Sequence, residues 1–302
     1  MELRIFLSSF NNKILQAYKK LHPDCELNIL LSYGTRSSDY WDMIVTNKHL
    51  SNSRICDSGA FTKNFANSNP TNSITLSGYI AFCKQQAIAK SFHFFFNFDE
   101  DFSLKGFETN LRNMIELENN GISVVPVVHD YLGEYFDEVG FYIQKQYPII
   151  ALGFSEHKQR DKKNNISSTV NRIVKAGLKV HVLGISSYDI LHDIPVNYCD
   201  SSSWAQEGKY GNVLWWNPYK NGKNKTDRIK FPDKENTHLR HPNHIGDYEH
   251  LEEFEDYVKN NFNLDIVNLC GHNKEFNRQL LNVHYYVQLQ DIIREEHQKR
   301  GF

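Results

Sequence analysis

The chain has 302 residues, of which 40% are hydrophobic and 23% charged, and its formal net charge is −2. This balance is typical of a globular protein with a sizeable core, and it excludes nucleic-acid binding through overall positive charge, so any such binding must use local patches. Five scattered cysteines without a Cys-x-x-Cys pair, no apolar run long enough for a membrane span and no signal-peptide pattern predict a cytoplasmic protein without membrane contacts.

Strand-like and helix-like segments alternate along most of the chain. Apolar runs predict nine strands, at Arg4–Ser8, Leu27–Ser32, Arg54–Cys56, Phe92–Phe98, Ser123–Val128, Ile149–Gly153, Lys179–Gly184, Val196–Cys199 and Val213–Trp216. Amphipathic stretches predict intervening helices, at Asn12–Leu21, Ser77–Ala89, Gly106–Asn119, Tyr131–Gln146 and Thr169–Ala176. Such alternation implies a parallel sheet, and about eight units close into a barrel. We therefore predict an α/β protein with a (β/α)8 TIM-like barrel, in which the first or last strand is surplus.

The alternation stops near Asn217. The segment Asn217–Asn236 is rich in Lys, Asn and Gly, which predicts an exposed loop. Two helices are predicted beyond it, at Tyr248–Asn260 and Glu275–Lys299. We expect one domain over residues 1–302, in which residues 217–302 form a loop-rich and helical C-terminal extension.

Three aspartates each follow a strand-like run. They are Asp57 in Cys56-Asp57-Ser58-Gly59, Asp99 in Asn97-Phe98-Asp99-Glu100, and Asp200 in Cys199-Asp200-Ser201-Ser202. The C-terminal ends of parallel strands meet at one rim, where ligands bind. Three carboxylates at that rim can divide an acid–base and nucleophilic mechanism among them. The alternative is that each aspartate caps the helix that follows it.

The segments around these aspartates resemble, in the same order, those of the tRNA-guanine transglycosylase superfamily. That superfamily includes short phage and bacterial enzymes that place 7-deazaguanine bases in DNA. Asp57-Ser58-Gly59-Ala60-Phe61 is similar to the family's Asp-Ser-Gly-Gly-Phe, and Phe98-Asp99-Glu100 is similar to its Phe-Asp-Glu. Ala151-Leu152-Gly153-Phe154 lies where the family has a glycine-rich turn of the base pocket.

The resemblance covers residues 54–298 and includes the C-terminal part of the chain. Leu183-Gly184-Ile185 resembles the strand before the family's nucleophile, and Asp200 falls at the nucleophile position. The segment from Leu280 to Arg294 is similar to the family's closing helix. The resemblance implies a base-exchange enzyme, a pentosyltransferase that replaces guanine in a nucleic acid with a free 7-deazaguanine base.

The resemblance also implies a role for each site residue. Asp200 would be the nucleophile that captures the sugar, as the carboxylate of a retaining glycosidase does, and Asp57 would be the general acid and base. Asp99 would accept hydrogen bonds from the N–H edge of the purine. Backbone N–H groups near the base would come from Ser58 and Gly59, and from Gly153 on the opposite wall.

Several positions depart from the family pattern. His129 occupies a rim position where the tRNA enzymes have glutamine. The alternative for His129 is a strand-end histidine that hydrogen-bonds to backbone groups. Ala60 and Thr62 replace a glycine and a glutamine of the family. Ser-Ser-Ser-Trp follows Asp200, which differs from the tRNA enzymes. The small size of the chain, the altered residues after Asp200 and the lack of the family's zinc signature favour DNA slightly over tRNA as the polymer.

The family's Cys-x-Cys-x-x-Cys…His zinc signature is missing. The expected chemistry requires no cofactor. Zinc binding remains open, because a cysteine and several histidines lie near the expected place of the family's site. These residues are Cys270, His272 and His284, with His238, His241 and His244 upstream. Two basic segments, His157–Lys163 and Lys220–Lys230, follow candidate strands and are expected to hold phosphates, unless they are ordinary solvated loops.

The predicted partners are a nucleic acid, either DNA or tRNA, and a free 7-deazaguanine base, and a homodimer stays open. Three other hypotheses remain: a transglycosylase acting on tRNA, a non-catalytic nucleic-acid-binding paralogue, and a metal-dependent barrel hydrolase that uses some of the 14 histidines. The paralogue is less favoured because such subunits typically lack the nucleophile or the acid, and this chain has both Asp57 and Asp200.

Overall fold

The computed structural model describes residues 2–35, 40–65, 74–153, 162–232 and 243–302. The strands in these ranges are β1 (Arg4–Leu7), β2 (Asn28–Ser32), β3 (Ser53–Asp57), β4 (Phe95–Phe96), β5 (Val124–Val125), β6 (Val127–Val128), β7 (Ile149–Leu152), β8 (Lys179–Val182), β9 (Tyr198–Ser201), β10 (Asn212–Trp216) and β11 (Thr226–Lys230). The helices are α1 (Asn12–Leu21), α2 (Ala60–Phe65), α3 (Leu76–Cys83), α4 (Gln86–Ala89), α5 (Phe107–Asn119), α6 (Glu138–Gln144), α7 (Lys162–Lys175), α8 (Tyr188–Leu191), α9 (Ser203–Lys209), α10 (Leu251–Phe262) and α11 (Lys274–Arg300).

Nine strands form one parallel sheet in the order β5-β4-β3-β2-β1-β9-β8-β7-β6. Its two outermost strands, β5 and β6, are separated in sequence only by Pro126. Proline has no N–H to donate to a ladder, which accounts for the interruption, although the Pro126 carbonyl still accepts the N–H of Ala151 at 2.9 Å. The sheet therefore curves until its edges meet at one segment, which gives a mixed α/β fold with a nearly closed, barrel-like sheet.

The structure agrees with eight of the nine predicted strands as members of this sheet, and the last predicted strand is the surplus one. That strand, β10, pairs instead with β11 as a separate antiparallel hairpin. Because β11 lies inside Asn217–Asn236, the prediction of a continuous exposed loop there is wrong. The charged sequence of β11 conceals an alternating pattern in which only Asp227 and Ile229 are buried.

Two apolar layers share the strands of the large sheet. In β1, Ile5 and Leu7 face the outer layer under the helices while Phe6 faces the interior, as expected because strand side chains alternate. The interior is filled by a separate cluster: Phe6, Leu30, Ile55, Phe94, Phe96, Val125, Val127, Ala151 and Tyr198. The barrel is therefore packed rather than open, and its upper interior side chains form the floor of the cavity described below.

The long C-terminal helix α11 lies beside the N-terminal ends of β1 and β2. Gln290 Oε1 accepts the Ile5 N–H at 2.8 Å, and the Arg294 guanidinium binds the Leu3 carbonyl at 2.6 Å and Glu26 at 2.7 Å. These contacts join the two ends of the chain and cover the face opposite the cavity. A C-terminal helix was predicted and is present. Within the described ranges, no helix is both long enough and apolar enough to cross a membrane.

Candidate active site

A cavity of about 510 Å³ opens at the C-terminal ends of the parallel strands. That volume lies in the range of ordinary small-molecule sites. Eight of the nine strands place at least one residue on its wall at or next to their C-terminal end, and examples are Ser8, Ser32, Asp57, Asn97, His129, Gly153, Gly184 and Asp200. All seven residues predicted for the site lie at this rim: six line the cavity, and Gly59 directly follows Ser58 in its wall.

Asp57 is the last residue of β3 and is half-buried. Its Oδ2 accepts hydrogen bonds from the Ser32 hydroxyl at 2.8 Å and from the Gly59 N–H at 3.0 Å. Burial raises the pKa of Asp57, the two hydrogen bonds oppose that shift, and the nearby carboxylates of Asp200 and Asp99 add to it. A carboxyl group with a raised pKa is suited to donating and accepting a proton near neutral pH.

Gly59 is required by a close approach of two backbone segments. Its φ is +78°, a conformation that favours glycine, and a Cβ there would lie 2.4 Å from the Cα of Gly34. The Gly59 N–H points to Asp57 rather than into the cavity. The expected contact between this N–H and a base is therefore not available in this structure, and Gly59 instead holds Asp57 in place.

Asp99 and His129 face each other across the cavity wall and are both buried. Asp99 Oδ1 accepts a hydrogen bond from Asn97 Nδ2 at 2.7 Å, and its Oδ2 lies 3.4 Å from His129 Nε2. The backbone N–H of His129 donates to the Glu138 carboxylate at 3.0 Å. Burial raises the pKa of Glu138 to about 7. The His129 ring therefore has a carboxylate as its neighbour, which differs from the alternative of a strand-end histidine bonded to backbone.

Gly153 makes room for the His129 ring. A Cβ on Gly153 would lie 2.6 Å from Val127 Cγ1 and 2.9 Å from His129 Cε1. Its N–H donates to the Val128 carbonyl at 3.0 Å as part of the β6–β7 pairing, and its carbonyl accepts the Tyr131 hydroxyl. The expectation that Gly153 offers its N–H to a base is therefore wrong in this structure, and the residue contributes space instead.

Asp200 lies in β9, and the hydrogen bonds to its side chain from the described residues all go to one carboxylate oxygen. Its Oδ1 accepts hydrogen bonds from His181 Nε2 at 2.9 Å and from the Gly184 N–H at 3.2 Å. Among the described residues, none donates to Oδ2, and the side chain lines the cavity at 13% exposure. One carboxylate oxygen is therefore fixed and the other is available to attack an atom in the cavity.

His181 is a site residue that sequence reasoning missed. It lies in β8, is fully buried among Phe6, Phe94, Phe96 and Tyr198, and its Nδ1 has no hydrogen-bond partner in the described structure. Its signal in the sequence is a polar residue at an inward position of an otherwise apolar strand. Ser32 and Asn97 were missed as well, although each lies at the last or the next-to-last position of a predicted strand.

The structure also places two other segments that the sequence puts near the rim. Trp204, four residues past Asp200, is 1% exposed, donates to the Ser8 carbonyl at 2.7 Å and packs on Phe10, so it belongs to the core. The segment Lys220–Lys230 forms part of the β10–β11 hairpin and lies outside the cavity wall, and Lys220 pairs with Asp227 at 2.9 Å. Of the other basic segment, 157–161 lies outside the described residues, as does Phe154.

The cysteine and histidines considered for zinc do not come together as expected. Among the described residues, His284 clusters with His22 and Cys25 rather than with Cys270 and His272. His244 accepts the Gly246 N–H at 3.2 Å as the cap of a short 3₁₀ turn, and His238 and His241 lie outside the described residues. The three clustered residues come from opposite ends of the chain, which no local spacing in the sequence shows.

Comparison with known proteins gives no match, either to a protein-family model or among curated proteins.

Proposed function

We propose that this protein is a base-exchange transglycosylase on a (β/α)8 barrel, which replaces guanine in a nucleic acid with a 7-deazaguanine base. The observation that carries the proposal is the arrangement of Asp57, Asp99 and Asp200, which three different strands bring to the wall of one cavity. Their surroundings differ, so each carboxylate suits a separate task. The order of the motifs along the chain and their resemblance to the transglycosylase superfamily support the same assignment.

The first half-reaction breaks the glycosidic bond. Oδ2 of Asp200 attacks C1′ of the nucleotide through an oxocarbenium-like transition state, while Asp57 gives its proton to the departing guanine. An aspartyl–sugar ester and free guanine result. The raised pKa of Asp57 favours its protonated form, which this step needs, and the donors on Oδ1 of Asp200 orient the attacking oxygen.

The second half-reaction reverses these roles. The incoming 7-deazaguanine loses its N9 proton to the Asp57 carboxylate, and N9 attacks C1′ as the ester bond to Asp200 breaks. The second step therefore restores both carboxyl groups to their starting states. Asp99 accepts hydrogen bonds from the N–H groups of both bases, which share the same pyrimidine edge. The cluster formed by His22, Cys25 and His284 lies outside the cavity wall, so neither step is assigned to these three residues.

We propose DNA as the polymer, on the basis of the Ser-Ser-Ser-Trp sequence after Asp200 and the missing zinc signature. Purified protein is offered equal amounts of guanine-containing DNA and unmodified tRNA with a set of labelled 7-deazaguanine bases. We expect label in DNA, and faster incorporation into single-stranded or distorted sites, because flipping a base out of a duplex costs a few kcal/mol. Label in tRNA alone would contradict the choice of polymer, and label in neither would contradict base exchange.

His181 is expected to act as a positioning residue for Asp200. His181→Phe fits the aromatic interior but removes the donor to Asp200, so kcat should fall about 10- to 100-fold, the loss expected for a hydrogen bond to a charged group. KM for polymer and base should stay unchanged, because His181 lies below the cavity floor. His181→Gln keeps an N–H donor and should recover part of kcat. Equal losses in both variants, or a loss confined to KM, would speak against this role.

A further inference from the structure

A cluster of three potential metal ligands lies at the end of α1, outside the wall of the catalytic cavity. One ligand atom from each of His22, Cys25 and His284 lies within 4.8 Å of the other two. His22 and Cys25 belong to the turn His22-Pro23-Asp24-Cys25 between α1 and β2, whereas His284 lies in α11. The cluster therefore joins the N-terminal part of the chain to its C-terminal helix.

The histidines of this cluster are set into an aromatic shell. The rings of His22 and His284 stack with centroids 4.3 Å apart, and the Phe262 ring meets them edge-on at 5.3 and 5.5 Å. The hydroxyl of Tyr18 lies 3.0 Å from His284 Nδ1. His22 is half-buried and His284 is buried, and imidazole binds a metal in its neutral form.

One nitrogen in the cluster is buried and unsatisfied. His22 Nε2 has no hydrogen-bond partner among the described residues, and neither does the buried hydroxyl of Tyr257, whose ring lies 6.3 Å from that of His284. Buried polar atoms are nearly always satisfied, so an orphaned imidazole nitrogen on a histidine that clusters with a cysteine points to a ligand.

We propose that His22, Cys25 and His284 bind one Zn²⁺ ion, with a water molecule as the fourth ligand. Two imidazoles and a thiolate form a donor set that suits zinc, at about 2.0–2.1 Å for nitrogen and about 2.3 Å for sulfur. Cys25 releases its thiol proton to solvent on binding, and its half-buried position gives the ion access. The role is structural, because the ion ties the turn after α1 to the helix that covers the lower face of the barrel.

Binding requires a small change in the cluster. Two stacked rings cannot both direct an in-plane lone pair at the same point, so His22 must turn out of the stack. His22 lies at the C-terminal end of α1 and is the more exposed of the two histidines. The turn itself is fixed by Lys19, whose ammonium donates to the carbonyls of Pro23 and Cys25 at 2.7 and 2.8 Å. His22 therefore moves while the position of Cys25 stays constant.

The test measures metal content and ligation on the full, untagged chain, independently of any base exchange. We expect about one zinc per chain by elemental analysis, as in a structural site. After exchange for Co²⁺, a thiolate-to-cobalt charge-transfer absorption should appear. Cys25→Ser should lose that absorption and bind zinc more than about 100-fold more weakly, since even an outer-shell change costs about 10- to 100-fold.

Cys270→Ser is the matched control, because Cys270 is also a half-buried free cysteine but lies outside the cluster. It should keep both zinc and the cobalt absorption. A wild-type chain without bound zinc, or one whose cobalt form lacks the thiolate absorption, overturns the proposal without any variant being needed. Zinc that persists in Cys25→Ser at wild-type affinity, or that is lost in Cys270→Ser, overturns it as well. None of these outcomes depends on whether the protein is a transglycosylase.

Discussion

Asp200→Asn is expected to abolish base exchange and to leave the fold intact. The amide has nearly the shape of the carboxylate, so the hydrogen bonds from His181 and Gly184 can still be made to its oxygen. An amide is a poor nucleophile, however, and cannot form the ester with the sugar. We expect kcat to fall by more than about 10⁴-fold, the scale of loss when a group that performs the chemistry is removed.

The covalent intermediate gives a direct measurement of this effect. Wild-type protein is incubated with labelled nucleic acid, denatured and separated, and a labelled protein–nucleic acid adduct should be visible. The adduct should be missing in Asp200→Asn and retained in Asp193→Asn, a control at an exposed aspartate outside the cavity wall. Circular dichroism and melting temperature verify that both variants fold. An adduct that persists in Asp200→Asn would assign the nucleophile to another residue.

The barrel could be predicted from the sequence because its strands are buried on both faces. Segments such as Ile149–Gly153 are continuous apolar runs, which parallel strands need when helices cover one face and the interior fills the other. The run Phe92–Phe98 was predicted as a full strand, whereas only Phe95 and Phe96 belong to β4. Hydrogen bonds from His93 to Arg54 and from Asn97 to Val125 continue along that run, so the difference concerns its bounds rather than its place in the sheet.

Strand β11 shows where composition misleads. Its sequence, Thr-Asp-Arg-Ile-Lys, has the polar composition of a loop, yet Asp227 is buried because the hydroxyl of Tyr248 donates to it at 2.6 Å and Lys220 pairs with it. The hydrogen bond between Tyr248 and Asp227 joins residues 21 apart in the chain. No periodicity in a five-residue segment reveals such a partner, so the antiparallel hairpin is visible only in three dimensions.

Some residues of the candidate site could be predicted from the sequence and others could not, for the same reason. The aspartates were predictable because the C-terminal ends of parallel strands share one rim, so their position in the sequence fixes their position in the barrel. The hydrogen-bond partners of those aspartates were not predictable from the sequence. His181, for example, is 19 residues from Asp200 and reaches it across neighbouring strands. The cluster of His22, Cys25 and His284 depends on a still longer separation and follows only from how α11 packs.

Asp99→Ala is expected to impair recognition of the base far more than binding of the polymer. The buried carboxylate has Asn97 on one oxygen and His129 close to the other, so it is oriented before a base arrives. Losing two charge-assisted hydrogen bonds to guanine should cost on the order of 3 kcal/mol in kcat/KM, which is about 100-fold. The dissociation constant for the polymer should stay unchanged, because phosphate contacts rather than one base dominate nucleic-acid affinity.

Two further variants separate recognition from stability. Asp99→Asn keeps the size of the side chain but presents an N–H₂ group that repels the donors of guanine, so it should lose activity like Asp99→Ala while melting closer to wild type. Glu100→Gln is the control, since this exposed neighbour pairs with Lys63 at 2.5 Å and lies outside the cavity wall. It should incorporate bases like the wild type. Unchanged kcat/KM and unchanged purine selectivity in both Asp99 variants would remove Asp99 from base recognition, whatever their stability.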